Sequence, residues 1–181
     1  ARPLVLTAAD SELACRDMTI TVRAGGMQGY PALMRSLGHD PAPLLARCGL
    51  SEEMLVDEDR LVPLQSAFDL LALSAEATRL PDFGLRAAMV QDIGALGPVA
   101  LAMQNAPTVA ASIDYLTRYL SVQSPALAMS LHPRSEQVPG TVELRYDPCA
   151  IGGLRYVPEV VDHGLALAHV TLRLLAGDRY A

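Results

Sequence analysis

The side chains able to do chemistry are thinly spread through this sequence, and their spacings argue against a reaction centre. Four His residues are present, and His163 and His169 stand six positions apart. On a helix that spacing places them roughly 240° apart around the axis, so they cannot hold one ion together. His39 falls in a turn and His132 at a strand end, and each His reads as a surface or hydrogen-bonded side chain. Cys15, Cys48 and Cys149 are odd in number and far apart, so neither a disulfide framework nor a zinc site is expected. Glu159 and Asp162 share the first turn of a helix, where the dipole is reason enough for acids. No nucleophile elbow, phosphate loop or dinucleotide fingerprint occurs, and Gly94-Ala95-Leu96-Gly97 runs straight into Pro98 as helix punctuation. No catalytic residue, metal or cofactor is therefore assigned, and the chain is not read as an enzyme.

A polar set suited to orienting a small molecule remains. Arg86, Gln91, Tyr115, Arg118, Tyr119 and Gln123 gather within residues 81–125, and Arg145 and Tyr156 join them from later segments. Tyr and Arg among aliphatic residues are groups that fix a ligand in an apolar pocket. The plainer alternative is a Tyr at the core edge with its hydroxyl in water, and Arg118 paired with Asp114 at helix spacing.

These residues ride on a corner of three short helices. Pro81-Asp82 opens a segment from Phe83 to Gln91 that stops at Gly94. Gly97-Pro98 opens a second helix that closes near Asn105, and Thr108 caps a third. In the third, Val109, Ile113, Leu116 and Leu120 form one apolar stripe, with Tyr115 and Tyr119 beside it. Upstream, helices are expected from Tyr30 to Leu37, from Asp40-Pro41 to Cys48, and from Ser51, whose first turn carries Glu52 and Glu53. Asp57-Glu58-Asp59 reads as a solvated turn. Pro63 to Arg79 is the longest early helix, with Leu64, Phe68, Leu71 and Ala75 inward.

Beyond residue 125 the apolar period changes to two. Leu127, Met129 and Leu131 alternate with polar or small neighbours, as do Val142, Leu144 and Tyr146, so a hairpin joined by Pro133 to Gly140 is expected. Pro158 to Ala176 reads as a long helix with Val161, Leu165, Ala168, Leu172 and Leu175 on its apolar stripe and Gly177 as its stop. Leu4 to Leu6 and Thr19 to Arg23 are short strand candidates. The expected class is α+β and predominantly helical: several short helices and one long C-terminal helix packed on a small antiparallel β-hairpin or sheet.

Length and charge narrow the partners. A chain of 181 residues with 51% hydrophobic content supports one domain with a sizeable core. Met18 offers an internal start, so residues 1–17 are read as a weakly ordered extension and 18–181 as the domain. With 14 basic against 20 acidic residues and a net charge of −6, the chain presents no broad phosphate-binding surface. No apolar run approaches the ~20 residues of a membrane span, and the cysteine usage fits the cytoplasm.

Several phrases resemble one family when taken in order. GYPALMRSLGHDPAPLLARCGL, DEDRLVPLQSAFDLLALSAEAT, PDFGLRAAMVQDIGALGPVALAMQNAPTV and IDYLTRYLSVQSPAL resemble the N-terminal effector-binding domain of AraC-type transcriptional regulators, in the branch with an arabinose-binding-like domain. The most specific stretches are Phe83-Gly84-Leu85-Arg86, Leu96-Gly97-Pro98 and Asn105-Ala106-Pro107-Thr108. The resemblance implies a homodimeric domain that takes a small-molecule effector and controls two helix-turn-helix units. Those units are absent from this sequence, so DNA would be reached only through a C-terminal domain outside it. The sequence favours a small, largely apolar metabolite carrying a carboxylate or carbonyl. Two other classes stand beside this: a small hydrolase or isomerase, and a ligand-free dimerisation domain. Tyr119→Phe with Arg118→Ala separates the last from a sensor, since it alters effector response only in a sensor.

Overall fold

The computed structural model describes residues 20–123, 128–132, 141–147, 154 and 157–177. Strand β1 (Thr21–Arg23) pairs antiparallel with β2 (Leu61–Pro63), Val22 opposite Val62. Between them run a 3-10 turn at Ala24–Met27 and helices α1 (Tyr30–Ser36), α2 (Ala42–Arg47) and α3 (Glu52–Val56). Their starts are made as the sequence predicts. Asp40 Oδ1 accepts from the Ala42 N–H at 3.0 Å, and Ser51 Oγ accepts from that of Met54 at 3.4 Å. Gly38 and Gly49, both at positive φ, follow the ends of α1 and α2.

Helix α4 (Leu64–Thr78) begins one residue after Pro63, which ends β2 and so lies outside the helix that the sequence suggested it would open. The acidic turn before β2 is solvated as expected, with Asp57 and Asp59 exposed. Glu58 accepts from the Gly25 N–H at 3.0 Å and from Gln28 Nε2 at 3.1 Å, while Asp59 pairs with Arg23. The turn is also fastened to β1 and the 3-10 segment, through the Glu58 backbone carbonyl and carboxylate and the Asp59 carboxylate.

The corner is tighter than predicted. Helix α5 (Phe83–Met89) ends before Gln91, and a second 3-10 turn (Ile93–Leu96), capped by Asp92, leads into α6 (Pro98–Gln104). Thr108 Oγ1 accepts from the Ala111 N–H at 3.1 Å to start α7 (Val109–Gln123). Strands β3 (Ala128–His132) and β4 (Glu143–Asp147) form the expected hairpin, with Met129 opposite Tyr146 and Leu131 opposite Leu144. Its loop, the Leu4–Leu6 strand candidate and the 1–17 extension lie outside the described residues. The long α8 (Pro158–Ala176) begins and ends where the sequence put it.

Two apolar cores result. The first joins β1, β2 and α1 to α5, with Phe83, Met34 and Leu45 fully buried. The second joins the second 3-10 turn, α6 and α7 through Leu96, Val99, Met103, Leu116 and Leu120. Helix α8 spans both, since Val160 belongs to the first and Leu167 packs against the second. It lies close along α5: a Cβ added at Gly84 would collide with the Glu159 carbonyl. The inward face of α8 matches the stripe the sequence suggested only in part: Ala168 lines the interior and Leu175 packs on the second core. Val160, Ala166 and Thr171 are buried whereas Leu165 is 52% exposed. An apolar count passes over Gly, His and Thr, and here those residues lie on the inner side of the helix.

Candidate functional site

Where the two cores meet under α8 they leave a partly open cavity of about 130 Å³. The first core contributes Val22, Leu64 and Phe68 to its wall; the second contributes Leu96, Leu116 and Leu120. Helix α8 closes it with a continuous face of Val160, His163, Gly164, Leu167, Ala168 and Thr171. A cavity of this size compares with an apolar cavity of roughly 150 Å³ known to hold benzene. No Asp or Glu lines it among the described residues.

The polar groups on the wall divide by whether the protein already uses them. Gln28 is committed at both ends: its Nε2 donates to Glu58 and its Oε1 accepts from the Asp92 N–H at 3.1 Å. Arg23 is paired with Asp59. The Tyr30 hydroxyl stands 3.0 Å from Ser74 Oγ, whose own proton goes to the Leu70 carbonyl at 2.6 Å, so Tyr30 is the donor of that pair. Desolvation pushes the Tyr30 pKa up to about 12, keeping it a neutral donor. Gln91 is different. It is 5% exposed and its Nε2 donates to the Gly26 carbonyl at 2.7 Å. That bond fixes which end of the amide is which, because a carbonyl oxygen cannot donate to another. Its Oε1 is buried and accepts from nothing. Such an atom costs about 1–3 kcal/mol in desolvation, and folded proteins hold few of them.

His163 faces the same space. No hydrogen bond reaches its ring from a described residue, and burial pushes its pKa down to about 4, so it is neutral at pH 7. Tyr146, opposite, lies flat enough against Gly164 that a Cβ there would enter its ring. Glycine inside a helix costs about 1 kcal/mol relative to Ala, and the close approach of that ring is what it permits.

Of the residues singled out in the sequence, the structure brings Gln91 to the cavity. Arg86 lies outside it, ion-paired with Asp82 at 2.9 Å and exposed. Arg118 pairs with Asp114 at 2.9 Å on the open side of α7, and Tyr115 and Tyr119 beside it are 38% and 50% exposed. Arg145 pairs with Glu143 at 2.7 Å on the outer face of β4. The backbone of Gln123 ends α7, while its side chain and the whole of Tyr156 lie outside the described residues. His163, Tyr146 and Thr171 were missed. For Tyr146 a signal existed: period-two alternation sets it with Leu144, on the side opposite Arg145. Among the described residues no cluster of His, Cys, Asp or Glu could hold a metal, and Cys48 is a free thiol buried in the first core.

Residues 38–181 match the family model of the arabinose-binding domain of AraC transcription regulators, N-terminal. The chain belongs to the AraC family of transcription regulators. Among its relatives are the HTH-type transcriptional regulators VirS from two strains of Mycobacterium tuberculosis, each 36% identical over 158 residues. The alignment takes in 87% of this chain and 46% of each relative, so the chain spans about half the length of the curated relatives it matches. The family match covers α2 to α8 and thus most of the cavity wall, while β1, the first 3-10 turn and α1, which supply Val22, Met27 and Tyr30 to it, precede the match. No helix among the described residues of this AraC-family domain is long and apolar enough to cross a membrane.

Proposed function

We propose that this domain senses a small, largely apolar metabolite in the cavity beneath α8 and controls a DNA-binding domain attached to it. The observation that carries the reading is the cavity itself: a largely apolar space of about 130 Å³ at the seam of two cores. A core of this size has no packing reason to leave such a space empty, since interiors are close-packed.

Occupancy acts by shifting a population. Helix α8 walls the cavity and touches both cores, so a ligand that fits one setting of α8 better than another biases the domain toward it. The bias cannot exceed the ligand's difference in affinity between the two states. The attached domain would read DNA with helix-turn-helix units, in the cytoplasm and as a homodimer, whose two-fold axis mirrors a palindromic site. The listening surface is then α8 and its neighbours, and no chemistry is asked of the domain.

Calorimetry and thermal melting with a panel of small apolar molecules, with and without an acid group, test this. At least one member is expected to give saturable heat and a melting temperature that rises with its concentration. No heat and no stabilisation from any member would sink the reading.

A further inference from the structure

His163 stands three positions after Val160 and four before Leu167, both on the inner face of α8, so its ring belongs to the cavity wall. The other polar groups of that wall are committed elsewhere. Arg23 pairs with Asp59, Gln28 with Glu58 and the Asp92 amide, and Tyr30 with Ser74, while Tyr146 is engaged as well. The unbonded Gln91 oxygen is sealed off from the cavity. Thr171 can return its hydroxyl to a carbonyl of its own helix, an outlet that an imidazole lacks. The His163 ring has no hydrogen bond to a described residue and is neutral at pH 7, so it offers one N–H donor and one bare nitrogen acceptor. A hydroxyl can meet either nitrogen, and a carbonyl oxygen can meet the N–H. A carboxylate meets no standing cation there, because Arg23 already holds Asp59 and the ring would first have to take up a proton.

We infer that His163 reads the polar group of the occupant, and that the cavity takes an uncharged, largely apolar molecule carrying one hydroxyl or carbonyl. Resting on the ligand-sensing reading, this class keeps the carbonyl expected from sequence but not the carboxylate, because Arg86, Arg118 and Arg145 all lie outside the cavity. His163 is thus a specificity-determining residue: apolar burial against side chains such as Phe68 and Leu167 holds the molecule, and the imidazole chooses among molecules of similar size.

Four probes of similar size test this at pH 7.5: phenol, which donates and accepts; benzaldehyde, which only accepts; toluene, which does neither; and benzoate, which is charged. Calorimetry or ligand-observed NMR gives their affinities for the native protein and for His163→Leu. The affinities of phenol and benzaldehyde relative to toluene are expected to fall about three- to tenfold in the variant, the worth of one neutral hydrogen bond, while toluene binding persists and benzoate is weakest in the native protein. Should the variant fail to fold, the ring-nitrogen NMR signals of His163 in the native protein decide: phenol is expected to shift them well beyond any change that toluene causes. Unchanged ratios in His163→Leu, ring signals that respond no more to phenol than to toluene, or benzoate binding best overturns the inference and leaves the sensing reading intact. Absence of binding by all four overturns the sensing reading and this inference with it.

Discussion

Two polar regions of this domain carry similar residue types and opposite environments. On α7, Asp114, Tyr115, Arg118 and Tyr119 lie on the open side of the helix, the two charges paired with each other and both rings substantially exposed. Under α8, Tyr30, Ser74 and Gln91 are withdrawn from water and His163 is half-buried beside them. Charges at an exposed i,i+4 spacing contribute only a few tenths of a kcal/mol. A buried group without a partner is worth several times more. Residue type therefore says less about function in this fold than which side of α8 or α7 a residue faces.

The sharpest way to break the buried region is where α8 packs on α5. Gly84→Ala places a methyl group against the Glu159 carbonyl, where backbone meets backbone and nothing flexible can yield. Loss of about 3 kcal/mol is expected in urea unfolding, with α8 displaced from α5 and the α7 surface unaffected.

A pH titration of stability sharpens the contrast next. The folded-state pKa of His163 lies near 4 against an ordinary 6.5. Between those values the unfolded chain binds a proton that the folded chain excludes, so this contribution is complete above about pH 6.5 and is lost as the pH falls toward 4. The slope from one such proton is at most about 1.4 kcal/mol per pH unit. It should be visible in melts from pH 7 to 5 and missing from His163→Leu.

Smaller still is Ser74→Ala, which strands the buried Tyr30 hydroxyl and should cost about 1–3 kcal/mol, with Tyr30→Phe added to it recovering part of the loss. Smallest is the surface pair. Arg118→Ala with Tyr119→Phe is expected to change stability by less than about 0.5 kcal/mol and to leave the binding of apolar probes unchanged. A large effect there on binding would reverse the contrast between the two regions.

Much of the fold was legible because its punctuation is chemical. Asp40, Ser51 and Thr108 carry the side-chain oxygens that helix starts need, and Gly177 marks the end of a helix whose limits match the expectation. The hairpin was legible for the same kind of reason, since period-two alternation has a direct structural meaning. The site was less so. A cavity is space left between two cores that are far apart in sequence, and no local pattern encodes it. The inner face of α8 includes His163, Gly164 and Thr171, so a search for apolar periodicity settled one step around the helix, on a stripe that includes the exposed Leu165. Gln91 reached the candidate set as a polar residue in an apolar stretch, yet what distinguishes it, a fixed amide with one end unbonded, depends on Gly26, sixty-five positions away.

The central claim is that the ligand sits under α8 and not on the α7 surface. A crystal structure of the protein grown with toluene tests it most directly. The account predicts toluene density between α4 and α8, against Phe68 and Leu167, with α7 bare. Density against Tyr115 and Tyr119, or side chains filling the space under α8, would contradict it.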